Sequence, residues 1–152
     1  MASAKPNVII LQTNALSELV RPAFERQANT ATIKPGHALE MLSTGKVQPN
    51  SVAGAAGVKM VAVEHGFRNT VGTTQNIDTL YAANDFVPFI YPQSGDLLYM
   101  TLKQGANLAA GAKLELAVGG EVQALTTGAL FGILEEAADS TAAAVRAKVR
   151  IA

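Results

Sequence analysis

Near the end of the chain, Val145, Ala147, Val149 and Ile151 alternate with Arg146, Lys148 and Arg150. A period of two sends the two sets to opposite faces of a strand, so residues 143–151 are predicted as a strand with one buried and one cationic face. Upstream, Leu114-Glu115-Leu116-Ala117-Val118 and Glu121-Val122-Gln123-Ala124-Leu125 flank Gly119-Gly120. Two glycines can take positive φ in a tight turn, and the segment reads as a hairpin. Apolar runs at 97–102 and 58–63 give two more strands, and Gly and Pro punctuate the rest at short intervals, as between many short strands. Helix signals are few. Asn14 can cap a turn or two bearing Leu16, Leu19, Val20 and Phe24 at helical spacing, with Pro22 limiting its length. Residues 78–83 are a shorter candidate. Residues 137–144 are rich in alanine, but Asp139-Ser140-Thr141 favours a loop into the last strand.

A longer regularity overlies these elements. Gly36, Leu39, Glu40, Gly45, Val47 and Gln48 recur 75 residues on as Gly111, Leu114, Glu115, Gly120, Val122 and Gln123, while Ile33 meets Leu108 and Met41 meets Leu116. Both copies continue into an apolar strand ending in Glu, Val61-Ala62-Val63-Glu64 and Gly132-Ile133-Leu134-Glu135, the two glutamates lying 71 apart. Identities fall on turn and strand positions alike, which points to duplication rather than to a chance likeness of hairpins. Each unit reads as turn, strand, hairpin turn, strand, loop, strand. Neither is long enough to bury its own face well, so the two are expected to close on each other as one barrel or sandwich. The predicted fold is therefore all-β: a compact β-barrel or sandwich of two similar hairpin-rich halves, with little helix and an extended N-terminal arm. Residues 1–32 form the arm and connector, and residues 33–152 the β-rich domain.

Composition narrows the function more than the fold. Apolar residues make up 49% of the 152 and charged residues 16%, which excludes disorder. Twelve Lys and Arg balance twelve Asp and Glu, so the basic excess that nucleic-acid binding demands is missing. With few charges there is little self-repulsion, which suits a protein packed against copies and partners. Cysteine is absent, removing disulfides, thiolate nucleophiles and Cys-based zinc sites together. Val8-Ile9-Ile10-Leu11 is too short for a signal-peptide core or a membrane span, so the expectation is a soluble protein made in a cytoplasm.

The search for catalytic chemistry yields little. His37 and His65 each have a glutamate nearby, Glu40 and Glu64, but zinc needs three or four ligands and no HExxH cluster is present. No serine sits in a GxSxG elbow, and Ser94-Gly95-Asp96 reads as a turn before a strand. Glu135 and Glu136 are adjacent and would face opposite ways on a strand, unlike a paired acid and base. The glycines at 105, 111, 119 and 120 accompany no phosphate-loop pattern. Arg146, Lys148 and Arg150 read first as a solvated strand face and second as a contact for acidic neighbours. Tyr81, Phe86, Phe89, Tyr91 and Tyr99 read first as core and second as an apolar interface patch. The expectation is a non-enzyme with no metal, no cofactor and no small-molecule substrate.

The order of turn motifs carries a family resemblance. Ile33-Lys34-Pro35-Gly36-His37-Ala38-Leu39-Glu40 resembles the Pro-Gly, hydrophobic, Leu-Glu opening of small phage head proteins. Tyr81-Ala82-Ala83-Asn84-Asp85-Phe86-Val87, then Gly95-Asp96-Leu97-Leu98-Tyr99, follow as in that family. Gly105 to Gly111, the hairpin from Leu114-Glu115 to Val122, and a close through Gly132-Ile133-Leu134-Glu135, Asp139-Ser140-Thr141 and the last strand complete it. The resemblance covers about residues 33–151, with departures at Asn84, where glycine is usual, and at Ala112, where Asp often follows Gly111. It is a likeness to capsid decoration, or cement, proteins. What it implies is a β-barrel-like decoration domain on the outer capsid surface of the virion, commonly a homotrimer, tying major capsid subunits together, with neither nucleic acid nor membrane as partner. An arm reaching a neighbouring subunit would make that attachment multivalent. Val8, Ile9, Ile10 and Leu11 are the candidate arm for capsid or subunit contact, or else an edge strand of the chain's own sheet. Two alternatives stand beside this reading: another phage structural component such as a tail or head-fibre base, and a lipoyl-like carrier presenting Lys46 at the tip Thr44-Gly45-Lys46.

Overall fold

The computed structural model describes residues 6, 8–13, 24–64 and 77–152, and these residues form strands, turns and loops with no helix. The helix candidate at Asn14 to Val20 lies outside the described residues, while Phe24, its last member, begins a strand. The second candidate, 78–83, is turn and extended chain, since Tyr81 is drawn into the core and its N–H donates to the Ile33 carbonyl at 2.9 Å. The strands, in chain order, are β1 (Ile10–Gln12), β2 (Phe24–Gln27), β3 (Leu39–Met41), β4 (Val47–Pro49), β5 (Val61–Ala62), β6 (Phe86–Ile90) and β7 (Leu97–Leu102). They continue as β8 (Asn107–Leu108), β9 (Lys113–Leu116), β10 (Val122–Ala124), β11 (Gly132–Leu134), β12 (Ala138–Asp139) and β13 (Val145–Ile151).

The C-terminal half closes into a five-stranded barrel. β7 and β13 run antiparallel from Val145↔Leu102 to Arg150↔Leu97. β13 then pairs with β11, β11 with β9, and β9 with β10. β10 returns to β7 through one parallel pair, Val122↔Leu102, which completes the ring. β1 adds to the other end of β7, with Ile10 opposite Leu98 and Gln12 opposite Leu97.

The N-terminal half repeats this ring. β2 pairs with β6 and β6 with β5, as β7 does with β13 and β13 with β11. Two single bridges supply the remaining closures: Ala38↔Val61 joins β5 to the start of β3, and Ala28↔Val47 joins β4 to the end of β2. The β3–β4 register, Leu39↔Pro49, Glu40↔Gln48 and Met41↔Val47, is that of β9–β10 at Leu114↔Ala124, Glu115↔Gln123 and Leu116↔Val122. Loop bonds repeat as well: Gly36 N–H to Ala62 O and Gly111 N–H to Leu134 O are both 2.7 Å. The duplication read in the sequence is thus a duplication of structure, but the third strand aligns one residue off. Val61 and Ala62 correspond to Ile133 and Leu134, so Val63, not Glu64, is the counterpart of Glu135. The two halves do not share one ring, however; each closes its own. A half-length sheet can do so because the apolar outer face it leaves is covered by the other half.

That division is visible in the core. Leu39, Ala62 and Phe89 belong with Ala28, Ile33, Val47, Met60, Tyr81 and Val87 to the interior of the first barrel. Their strand neighbours Ala38, Val61 and Ile90 therefore point outward. These three, with Val63, join a second buried cluster with Leu98, Met100, Leu102, Leu114, Val149 and Ile151 of the second barrel. The equivalent positions on the second barrel are Lys113, Ile133, Glu135 and Arg150, exposed or half-buried. The same outward sites are thus apolar where barrel meets barrel and mostly charged where they face away.

Arg146 fastens the seam. It stands on β13, yet its guanidinium donates to Pro35 O at 2.7 Å, to the Ile77 carbonyl, and to Asp78 Oδ1 at 3.2 Å. It also reaches Tyr99 O at 3.3 Å, and its side chain is only 12% exposed. The departure at Asn84 has a physical basis too. Asn84 has φ of 67°, a left-handed turn position that asparagine tolerates better than most residues with a side chain.

Candidate interaction surface

The duplicated hairpins place a glutamate opposite a glutamine in each barrel. Gln123 Nε2 donates to Glu115 Oε1 at 2.8 Å, and Gln48 Nε2 to Glu40 Oε1 at 2.6 Å. Each carboxylate also receives the first amide of the loop that follows: Thr126 N–H on Glu115 Oε2 and Ser51 N–H on Glu40 Oε2, both 3.2 Å. The Thr126 hydroxyl also donates to Glu115, at 2.9 Å, as the Ser51 hydroxyl does to Glu40. From there the copies diverge: Glu115 accepts one more bond, from Gly128 N–H at 2.8 Å, and is 2% exposed. The Gln123 and Thr126 donors hold its carboxyl down at about 2, against the opposing effect of burial. At Glu40 burial pushes the carboxyl up, but the Ser51 and Gln48 hydrogen bonds outweigh it and leave the group below its usual range.

The difference comes from one loop. Between β4 and β5, Gly54 lies on the second barrel: its N–H donates to Leu116 O at 2.7 Å and its carbonyl accepts from Ala129 N–H at 3.0 Å. Only glycine permits this approach, because a Cβ on Gly54 would stand 2.6 Å from Gly128 Cα, and φ there is +66°. The loop thereby covers Glu115. No segment among the described residues covers Glu40 in the same way. A cleft of about 220 Å³ remains there, lined by Leu39, Glu40, Met41, Asn50, Ala55, Gly57, Val58, Met60 and Leu116.

Exposed apolar side chains gather along this seam. Val58 is 75% exposed and Met41 44%, both on the cleft at Glu40. Leu130 lines a neighbouring depression that shares Ala55, Gly57 and Leu116 with it, and Val118 a third that shares Asn50. Val52 is also exposed, its carbonyl accepting from Asn50 Nδ2 at 2.7 Å. Contiguous exposed apolar surface of this kind marks protein contact sites.

The residues singled out in the sequence are distributed as follows. Of the arm residues, Ile9 is fully buried and fixed by Tyr99 N–H on its carbonyl at 2.8 Å and by Glu64 Oε2 on its N–H at 3.1 Å. Ile10 and Leu11 are half-buried in β1 and Val8 is exposed, so the segment lies on the chain's own sheet. His37 is buried, with Nδ1 accepting from Lys34 N–H at 3.3 Å, and it does not join Glu40; His65 lies outside the described residues. Among the described residues no three His, Cys, Asp or Glu side chains are grouped to hold a metal. The cationic stripe is paired internally: Lys148 with Glu136 at 3.1 Å, Arg150 with Glu135 at 2.8 Å, and Arg146 with Asp78. Glu135 and Glu136 therefore serve separate cations. The aromatics divide, with Tyr81, Phe89 and Tyr99 buried and Phe86 and Tyr91 exposed. Tyr91 packs edge-on against Phe24, their centroids 5.2 Å apart. Lys46 donates to Asn84 Oδ1 at 2.7 Å from its hairpin tip.

Sequence reasoning passed over Glu115, Gly54 and Gly128. The Leu-Glu and Val-Gln pairs eight residues apart, present in both copies, carried the signal for the carboxylate network. Compared with known proteins, the chain matches no family model and no curated protein.

Proposed function

We propose that this chain is a structural virion protein that binds the outer surface of a phage capsid and stabilises contacts between major capsid subunits, acting as a homotrimer. The observation that carries the reading is the set of exposed apolar side chains Met41, Val52, Val58, Val118 and Leu130 along the seam between two packed barrels. Cementing requires a stiff body with contact surface and no catalysis. Two fused barrels offer twice the footprint of one for a single loss of translational freedom, and threefold symmetry multiplies it again. The turn motifs from Pro35-Gly36 to Asp139-Ser140-Thr141 support the same assignment by resemblance.

The test is binding of the purified chain to emptied, expanded phage heads, read by co-sedimentation and cryo-microscopy. Saturable density at symmetry-related outer sites is the expected result. No binding by folded protein, or self-assembly without heads, moves the assignment to a tail or head-fibre component. Sedimentation equilibrium should give a trimer, and a strict monomer on and off heads removes the threefold arrangement.

A further inference from the structure

The open cleft at Glu40 is the counterpart of a groove that this molecule already fills. On the second barrel Gly54 lies in a groove at Glu115, Leu116 and Ala129, through bonds to Leu116 O and Ala129 N–H. Mapping those positions back by the repeat gives Glu40, Met41 and Gly57. All three line the open cleft. The first barrel thus keeps the receiving groove, and no segment among the described residues occupies it. Its carboxylate is also short of donors: Glu115 takes the Gly128 N–H at 2.8 Å, whereas Glu40 has the Gln48 and Ser51 bonds.

We propose that the cleft at Glu40 is a docking groove for an extended, glycine-bearing apolar segment of a partner chain, bound as Gly54 is bound on the second barrel. The partner's backbone pairs with Met41 O and Gly57 N–H, and its small side chains cover Met41 and Val58. A glycine where the segment crosses the carboxylate lets the backbone approach as closely as Gly54 does; on the occupied copy a Cβ at Gly54 would stand 2.6 Å from Gly128 Cα and 3.5 Å from Glu115 Oε2. The donor is a different protein rather than a second copy of this chain. Among the described residues the two loops of this kind, at Gly54 and at Gly128, are already locked against each other. The groove goes beyond the cement reading and does not depend on it, since it makes no assumption about which protein supplies the segment.

The occupied groove also supplies the probe: a capped peptide of residues 51–58, Ser-Val-Ala-Gly-Ala-Ala-Gly-Val. Titrated at millimolar concentration into the full 15N-labelled chain, it should give saturable shifts centred on Leu39, Met41, Gly57 and Met60. The same peptide with valine at its first glycine should bind about tenfold more weakly or not at all, and Glu40→Gln should weaken the parent peptide by about tenfold. The absence of saturable shifts in wild-type protein overturns the proposal. So do shifts centred instead on Gly128 and Ala129, which mean that the peptide displaces the chain's own loop, and equal binding of the valine peptide. The assay uses no heads, so its failure leaves the capsid assignment standing, and failure to bind heads leaves the groove standing.

Discussion

His37 should make the protein lose stability between neutral and mildly acidic pH. Its imidazole is buried between the barrels' closest turns, where a Cβ on Gly120 would stand 2.9 Å from its own Cβ. Burial first, then the positive charges of Arg146 and Lys34, pull its pKa from 6.5 to about 4, with the Thr32 backbone hydrogen bond opposing them. Above pH 6.5 the ring is neutral in both folded and unfolded chains and contributes no pH dependence. As pH falls below 6.5 the unfolded chain takes up a proton that the folded chain refuses until about pH 4, so stability declines through that window. The whole loss is about 3 kcal/mol, and the part between pH 7 and pH 5 about 2 kcal/mol. The measurement is chemical denaturation of wild type and His37→Gln at pH 7, 6 and 5. Contributions of all other groups are common to both proteins and cancel in the difference. The wild-type curve should fall more steeply by about 2 kcal/mol over the interval. Parallel curves would show that His37 protonates as readily in the folded chain as in the unfolded one, and the reasoning from burial would be wrong.

The remaining predictions concern the seam and the turns. Arg146→Met should cost about 3 kcal/mol in denaturant, because the Pro35, Ile77 and Tyr99 carbonyls lose a shared donor, whereas Asp78→Asn, at a site 66% exposed, should cost about 0.5 kcal/mol or less. Glu115→Gln should lower the melting temperature more than Glu40→Gln, since an amide cannot accept all four hydrogen bonds; equal effects would contradict the account of the covering loop. Gly45 and Gly120 form a matched pair with φ of +78° and +79°. Gly45→Ala should cost about 1 kcal/mol for left-handed strain alone. Gly120→Ala should cost about 1–3 kcal/mol beyond that, since its Cβ would meet the Ala38 carbonyl at 2.7 Å.

How much of this was legible depended on whether the cause was local. The alternation of 145–151 and the Gly119-Gly120 hairpin are local, and both elements stand where the pattern put them. The repeat was legible because it is carried by Leu-Glu, Val-Gln and glycine positions that fix turns and registers in each copy. Residues 58–63 shrink to Val61–Ala62 because Val58 is drawn out into the loop whose middle lies on the other barrel. Ring closure left no sequence trace, since it rests on single pairings at Ala28, Ala38 and Val122. Glu40 and Glu115 share the same local motif, and only a loop more than fifty residues from Glu115 distinguishes the buried one. Arg146 looks identical to Lys148 and Arg150 by alternation. It is buried because that end of β13 faces the first barrel.

The duplication also raises the question of what the outward face of the second barrel can accept. A repeat that packs head-to-tail presents, at its far end, the same face that its first copy buried, and an unmodified face invites a third unit or a second chain. Here Ala38, Val61, Val63 and Ile90 make the buried face, and their counterparts are Lys113, Ile133, Glu135 and Arg150. Docking a third barrel on that surface would bury an unpaired Lys113 and strip water from the bidentate Glu135–Arg150 pair at 2.8 and 2.9 Å. Three substitutions from apolar to charged residues therefore set this face against a further barrel while leaving the barrel's interior and registers unchanged. A change of Lys113 to alanine, Glu135 to valine and Arg150 to isoleucine together should restore a sticky end, giving concentration-dependent linear oligomers in sedimentation velocity. A triple variant with wild-type sedimentation at high concentration would mean that the charged face is not what limits assembly.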